Sequence, residues 1–372
     1  MSVPGDHSCR FCRSHTGAVV LDLGRQPPCD CFPEVDDPGP DPLHPLEMWM
    51  CSSCGLAQLV SDPANTEEPR ALEPAALAVQ AASAVALIAG DGWLDGRATV
   101  AEFESPHGGS WLGHMAVRGP RSVGDGQQAD VVLDCFGMMH APDQRAALAE
   151  RTTRVAPGGV LLLQFHSLGT ILRLGQWTSL RHGHYAYYST SALELMLREY
   201  GFALQRAWTF DLYGGTVLLA ATREPAGRAH RTVRDLLDEE RRTGAADPDS
   251  VSLLQYRVQR HSRAVHDWLR LRRDAGADVV GYGAASRAVA LLLHAGIDRG
   301  LLPGIVDASP AKEGRRMPDT DIPILGTSRL RSDPPDAVLL MLPDLMDEVR
   351  AAFPEVERSG GQWVNVETIG AR

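Results

Sequence analysis

The stretch that decides the fold is "APGGVLLLQF", Ala156 to Phe165. A Pro-Gly-Gly turn releases the chain into an apolar run, Val160 to Phe165, with no in-out alternation. A strand with one wet face alternates, whereas an unbroken run suits a strand covered on both faces. Working outward, "ADVVLDCFGMMHAPD" (Ala129 to Asp143) predicts a strand over Asp130 to Asp134, then a loop, then a helix over Gln144 to Arg154. Downstream, "SALELMLREYGF" predicts an amphipathic helix ending at Gly201, and "GGTVLLAATR" a further strand. An Ala-rich helix around Pro74 to Gly90 leads into a strand at Thr99 to Phe103. Strands and helices that alternate through Gly-rich turns predict an α/β sheet.

The chain of 372 residues is long enough for three domains. Residues 1–70 are rich in Cys, Pro and Asp, with short strand-like pieces at Val19 to Leu21 and Leu56 to Val60. Residues 71–225 hold the α/β segment above. In residues 226–372, a polar helical region from Ala229 to Ala275 breaks near Gly244 to Pro248. It precedes strand, Gly turn and helix in "ADVVGYGAASRAVALLLHAG", with more strands in "LLPGIVDASP" and "DAVLLMLP". This predicts a second, smaller α/β unit. A net charge of −11 gives no basic surface for nucleic acid, although a local patch for a phosphorylated substrate stays open. The start shows no signal-peptide layout, and no apolar run is long enough to span a membrane. A cytoplasmic location is expected.

Six of the seven cysteines stand in the first segment: Cys9, Cys12, Cys29, Cys31, Cys51 and Cys54. Cys9-x-x-Cys12 and Cys51-x-x-Cys54 are two CxxC pairs, each able to offer two thiolates from a tight turn. Together they supply the four ligands of a closed, structural zinc site. Cys29 and Cys31, in "PPCDCFP", are either spare ligands or residues of a surface turn. Cys135 reads as a core thiol.

Several pieces, in order, resemble the sugar C-methyltransferases that act on nucleotide-linked deoxysugars. "CRFC…PLEMWMCSSCGLAQLV" resembles their zinc-binding N-terminal domain, and "HAPD…APGGVLLLQF" the later part of a class I methyltransferase-like Rossmann domain. "GQWTSLRHGHYAYYSTSALELMLREYGF" is similar to their active-site stretch, and "VVGYGAASRAVALLL…IVDASPAKEGRRMPDTDIPIL" to their Rossmann-like sugar-nucleotide-binding C-terminal domain. The resemblance implies a structural zinc, S-adenosylmethionine in the central domain and a nucleotide sugar in the cleft beside the C-terminal domain. It implies that a base removes a proton next to a keto group and that the enolate carbon takes the methyl. It points to His184, His182, His140 and Tyr185 as catalytic residues. Glu102, Ser105, His107, Gly108 and Gly109 would face the cofactor; Gly281, Gly283, Arg287, Arg181 and Tyr188 would face the substrate. Lys312, Arg315 and Arg316 add positive charge near the C-terminal turn.

Three departures bear on this. In "VAEFESPHGGSWL" (Val100 to Leu112), Pro106 and His107 stand just before the glycines. Proline removes an N–H and fixes φ, which weakens a cofactor turn. Between Gly109 and Ala129 there is room for a short helix and one short strand, such as Met115 to Arg118, and no strand ending in a ribose-holding acid. In the active-site stretch, Arg181 and Gly183 replace the tyrosine and glutamate of the family pattern. Three functions follow as alternatives: methyl transfer from S-adenosylmethionine; an S-adenosylmethionine-independent isomerisation, cyclisation, condensation or elimination on the same scaffold; or a non-catalytic binding protein.

Overall fold

The computed structural model describes residues 7–37, 39–62, 75–105, 108–223 and 229–370. The N-terminal sheet begins with β1 (Gly17–Gln26), β2 (His44–Cys51) and β3 (Ala57–Leu59), all antiparallel. After α1 (Ala75–Gly90), the central sheet starts with β4 (Thr99–Phe103). The chain then makes α2 (Leu112–Ala116), β5 (Arg121–Ser122) and β6 (Ala129–Cys135). Next come α3 (Gln144–Arg154), β7 (Val155–His166) and α4 (Leu168–Leu174). A two-residue strand, β8 (Ala186–Tyr187), leaves the central domain and pairs with β3, so the N-terminal sheet runs β1-β2-β3-β8. α5 (Thr190–Arg198), β9 (Ala203–Phe210) and β10 (Thr216–Thr222) complete the central sheet in the order β5-β4-β6-β7-β10-β9. Strands β4 to β7 are parallel, while β10 is antiparallel to both of its neighbours.

The apolar run behaves as its pattern requires: Val160 to Leu162 on β7 and Val131 to Leu133 on β6 are fully buried. The helices are capped locally. Asp143 accepts from Ala146 N at the start of α3, and Ser189 from Ala192 N at the start of α5. Buried Glu240 of α6 (Arg231–Thr243) accepts from Thr190 N at 2.6 Å and Ser191 N at 2.9 Å, an anion against a helix N-terminus.

Helix α7 (Pro248–Asp274) starts after the predicted break and packs on β1. Beyond it lie β11 (Val279–Tyr282), α8 (Ser286–His294), β12 (Ile305–Val306), β13 (Ile324–Leu325), β14 (Ala337–Leu340) and β15 (Gln362–Asn365). Their all-parallel sheet has the order β13-β12-β11-β14-β15. The architecture is α/β with a cysteine-rich N-terminal unit. Among the described residues no helix is long and apolar enough to cross a membrane.

One local expectation is corrected. The short strand after the first turn is not Met115 to Arg118: Met115 lies in α2, with its side chain buried, and the strand is Arg121–Ser122. Met115 is the apolar anchor of a single helical turn, which the pattern cannot distinguish from a strand over so few residues.

Candidate functional site

Cys9 and Cys12 form a turn ahead of β1, while Cys51 and Cys54 bracket the turn between β2 and β3. Their four Sγ atoms lie within 4.8 Å of one another, with Cys9–Cys54 and Cys12–Cys51 each at 3.5 Å. A tetrahedral zinc with Zn–S of about 2.3 Å asks for sulfur separations near ~3.8 Å. The cluster therefore fits zinc once sulfur separations of up to 4.8 Å close by about 1 Å. The N–H groups of Phe11 and Cys12 point at Cys9 Sγ, and that of Ser53 at Cys51 Sγ, all at 3.4 Å, which supports thiolates. Cys29 and Cys31 stand outside this cluster.

The same unit packs against the central domain around Met139, Gly183 and Tyr185. Arg10, inside the first CxxC, donates to Leu59 O and Pro142 O and lies over the Tyr185 ring at 4.8 Å. Tyr185 N donates to Met139 O at 2.8 Å, and Leu59 N to Tyr185 O at 3.2 Å. Asp62 accepts from Gly183 N at 2.6 Å. Burial, with the Asp62 carboxylate next, pushes the Tyr185 phenol above its usual range.

These bonds bring His140 and His184 together. Their rings are perpendicular with centroids 4.7 Å apart. His140 Nδ1 lies 2.9 Å from Gly183 O. A carbonyl only accepts, so Nδ1 carries the proton and Nε2 is the basic nitrogen. Burial, and then the Arg181 guanidinium, lower His140 to about 4, so it is neutral near pH 7. Arg181 donates from Nε and from its NH2 group to His184 Nε2, at 2.9 and 2.6 Å. Its remaining nitrogen bonds Ser286 Oγ at the start of α8. His182 lies apart from this pair. It is buried, bonds Pro45 O at 3.1 Å and meets the His44 ring edge-on, so it fills the junction with the N-terminal domain. Tyr188 is buried against Phe165, bonds Gln144 Oε1, and lines a water-sized gap of about 10 Å³ with Asp134, Met138 and Leu193.

A dinucleotide- or S-adenosylmethionine-type ligand lies across the carboxyl ends of strands where the order reverses, which here is between β4 and β6. Glu102 there accepts from Ser110 Oγ at 2.5 Å and Trp111 N at 2.6 Å, which holds the turn against the strand. Gly108 and Gly109 have φ of 76° and 79°, backbone that suits glycine. Ser105 precedes them, bonded to Gly108 N through its carbonyl. His107 and Pro106 lie outside the described residues. These groups fit the methionine end of such a cofactor. The ribose end is different. Ser122 pairs with Val100, whereas β4 and β6 run on to Phe103 and Asp134. At ~3.3 Å per residue, β5 stops about 10 Å short of the carboxyl edge, and its chain turns back directly into β6. Among the described residues β5 brings no carboxylate to that edge. The loop after β6 also closes down: a Cβ on Gly137 would stand 2.7 Å from Glu104 O.

In the C-terminal unit, Gly281 serves strand packing, since a Cβ would meet Ile305 Cγ1 at 2.8 Å. Gly283, at φ 96°, makes the turn into α8. Asp307 accepts from Ala284 N and so braces that turn. Arg287 faces His166 and Asp344. Burial first, then Arg287, takes His166 down to about 3. Lys312, Arg315 and Arg316 are engaged by Ala284 O, Phe32 O and the Asp41 carboxylate respectively, so they tie elements together. Asp62, Ser286 and Asp344 escaped the sequence reading, because no spacing rule marks a residue that reaches a site from another domain.

Three family models match in succession: a putative zinc-binding domain over residues 9–68, a methyltransferase domain over 57–207 and a C-methyltransferase C-terminal domain over 211–366. Each of these models covers less than half of the chain, and the one over residues 211–366 is specific to C-methyltransferases. Its curated relative C-methyltransferase NovU of Streptomyces niveus is 26% identical over 233 residues, which cover 62% of this chain and 54% of the relative. The chain thus spans about half the length of that relative. Two solved structures are similar in part. Magnesium protoporphyrin IX methyltransferase from Synechocystis, solved with bound SAH, is 18% identical over 39% of this chain and 83% of its own, with TM-score 0.29. An O-methyltransferase family protein from Burkholderia thailandensis is 17% identical over 40% and 58%, with TM-score 0.31.

Proposed function

We propose that this chain is a small-molecule tailoring enzyme of the C-methyltransferase kind, working in the cleft between its central and C-terminal domains. The observation that carries the reading is the His140–His184 pair beside Arg181. The Nδ1–H tautomer of His140 presents Nε2 as the base for a proton on carbon next to a carbonyl. The bond electrons move onto the carbonyl oxygen, and the Arg181 guanidinium is the cation at hand for the enolate. S-adenosylmethionine, when bound, supplies an electrophilic methyl group to such a carbon. Glu102, Ser105 and the Gly108–Gly109 turn are the residues suited to its methionine end, with His107 beside them in sequence. His184 and Tyr185 orient the cleft. Gly283 and Arg287 are suited to a substrate such as a nucleotide-linked keto sugar, whereas Tyr188 is a core residue bonded to Gln144. The four-cysteine cluster and the unbridged thiols of Cys31 and Cys135 suit a reducing cytoplasm.

The short β5 favours a second reading: the same cleft performs proton transfer without methyl transfer. Two measurements separate them. Calorimetry with S-adenosylmethionine reports cofactor binding, and exchange of the α-proton of a keto-sugar nucleotide with deuterated water reports the base. Binding together with exchange supports the methyltransferase. Exchange with no binding at millimolar S-adenosylmethionine selects the second reading. Absence of both overturns each of them and leaves a binding protein.

A further inference from the structure

We infer that Arg181 is the positioning residue that keeps the His140–His184 pair in its unprotonated form, and that Ser286 of the C-terminal domain holds Arg181 in place. This deepens the reading above and rests on it for its consequence in catalysis.

The geometry at His184 is the first ground. A guanidinium has five donors, no acceptor and no accessible neutral form. Two of those donors converge on His184 Nε2 at 2.9 and 2.6 Å, so that nitrogen must offer its lone pair. A longer approach of Arg181 Nε to Nδ1, at 3.4 Å, is secondary. A proton on Nε2 would set N–H against N–H and cation against cation. The second ground is reach. His140 packs edge-on against the His184 ring, and burial first, then the same guanidinium, disfavours its charged form. Other groups face the pair. Asp30 acts on His140 in the opposite sense, Tyr187 lies beside His184 with ring centroids 6.2 Å apart, and Asp62 reaches the connecting backbone at Gly183 N. Among these described groups Arg181 is the cation.

The third ground is where Arg181 is anchored. Its remaining nitrogen bonds Ser286 Oγ, the first residue of α8, immediately after the turn through Gly283. The guanidinium that forks onto His184 is therefore braced on its third nitrogen by the C-terminal domain. Movement of α8 away from the central domain would release one arm of Arg181 and let the histidines take protons. Docking of the domain that holds the Gly283 turn thus sets the protonation state of the base.

The test follows histidine ring resonances by NMR in full-length, zinc-loaded protein between pH 8 and 5, with His140→Asn and His184→Asn used for assignment. No substrate or methyl donor is present, so the result stands apart from whether either proposed reaction occurs. In the unaltered chain both rings are expected to keep their shifts across this range. In Arg181→Gln at least one should titrate, with its midpoint raised by one pH unit or more, a tenfold gain in proton affinity. Arg181→Lys, which keeps the charge but not the fork, should move it less, and Ser286→Ala should fall between the lysine variant and the unaltered chain. Zinc content and melting temperature establish folding. If Arg181→Gln does not fold, the lysine and Ser286→Ala variants carry the test. Rings that stay pH-independent in every folded Arg181 variant overturn the role of Arg181. A Ser286→Ala profile identical to that of the unaltered chain overturns the coupling to the C-terminal domain.

Discussion

Ala57, three residues past the cysteine at Cys54, pairs antiparallel with Tyr187, three residues past His184. The zinc-type cluster and the histidine cleft are thus joined by one strand pairing. Removing the metal should disturb both. Zinc analysis should find one metal per chain. Cys51→Ser or a strong chelator should unfold the N-terminal unit, because metal binding in such clusters, on the order of 10 kcal/mol, is also folding energy. The activity should fall in step with zinc content. Full activity in a zinc-free sample would break the link.

His140→Ala should lower kcat by about 10²- to 10⁴-fold, the usual weight of a positioned base. The ring is mostly buried, so the same variant should also be less stable. His140→Gln separates the two effects: the melting temperature should recover in part while kcat does not. A His140→Gln enzyme with unaltered kcat would remove His140 from the chemistry.

Stability should fall with acid in a defined window. His140 and His166 are lowered by burial to about 4 and about 3. Below the unfolded value of ~6.5 the unfolded chain binds protons that the folded chain refuses. Their neutral forms therefore favour folding fully above that value, and the advantage is lost as pH falls toward the folded values. Each unit crossed costs up to about 1.4 kcal/mol per histidine. His182, His261 and His294, also lowered by burial, act in the same direction. Melting temperatures should be level from pH 8 to 7 and decline below about 6.5. The decline should be shallower in a His166→Asn variant.

Asp134 and Arg151 form a buried pair at 2.6 Å, and Asp134 also accepts from Met138 N at 3.0 Å. Together they fasten the loop that carries His140. Removing one member leaves an uncompensated buried charge, at about 3–5 kcal/mol. Asp134→Ala and Arg151→Ala should each show a loss of that size in urea unfolding, and the double variant should lose less than their sum. Strict additivity would mean the two residues act independently.

Much of the fold was legible in the sequence because its signals are local. The largely apolar run at Val160 to Phe165, the helix over Gln144 to Arg154 and the break between α6 and α7 are each signalled within a few residues. The two CxxC pairs were equally legible, since two ligands per turn is a property of the turn. The candidate site was legible as a list of residues but not as an arrangement. His182 and His184 are two positions apart in sequence, yet one faces Pro45 in the N-terminal unit and the other faces Arg181 and His140.

The sequence by itself determined the α/β alternation, the cysteine cluster and the shortage of chain between Gly109 and Ala129, because each is written in composition and spacing. The tertiary structure alone decided three further points: that β5 stops at the level of Val100, that Lys312, Arg315 and Arg316 serve as ties, and that Arg181 joins His184 to Ser286. These depend on strand register and on contacts between residues 28 to 283 positions apart, where the partner of a charged side chain is set by packing and not by its neighbours in the chain.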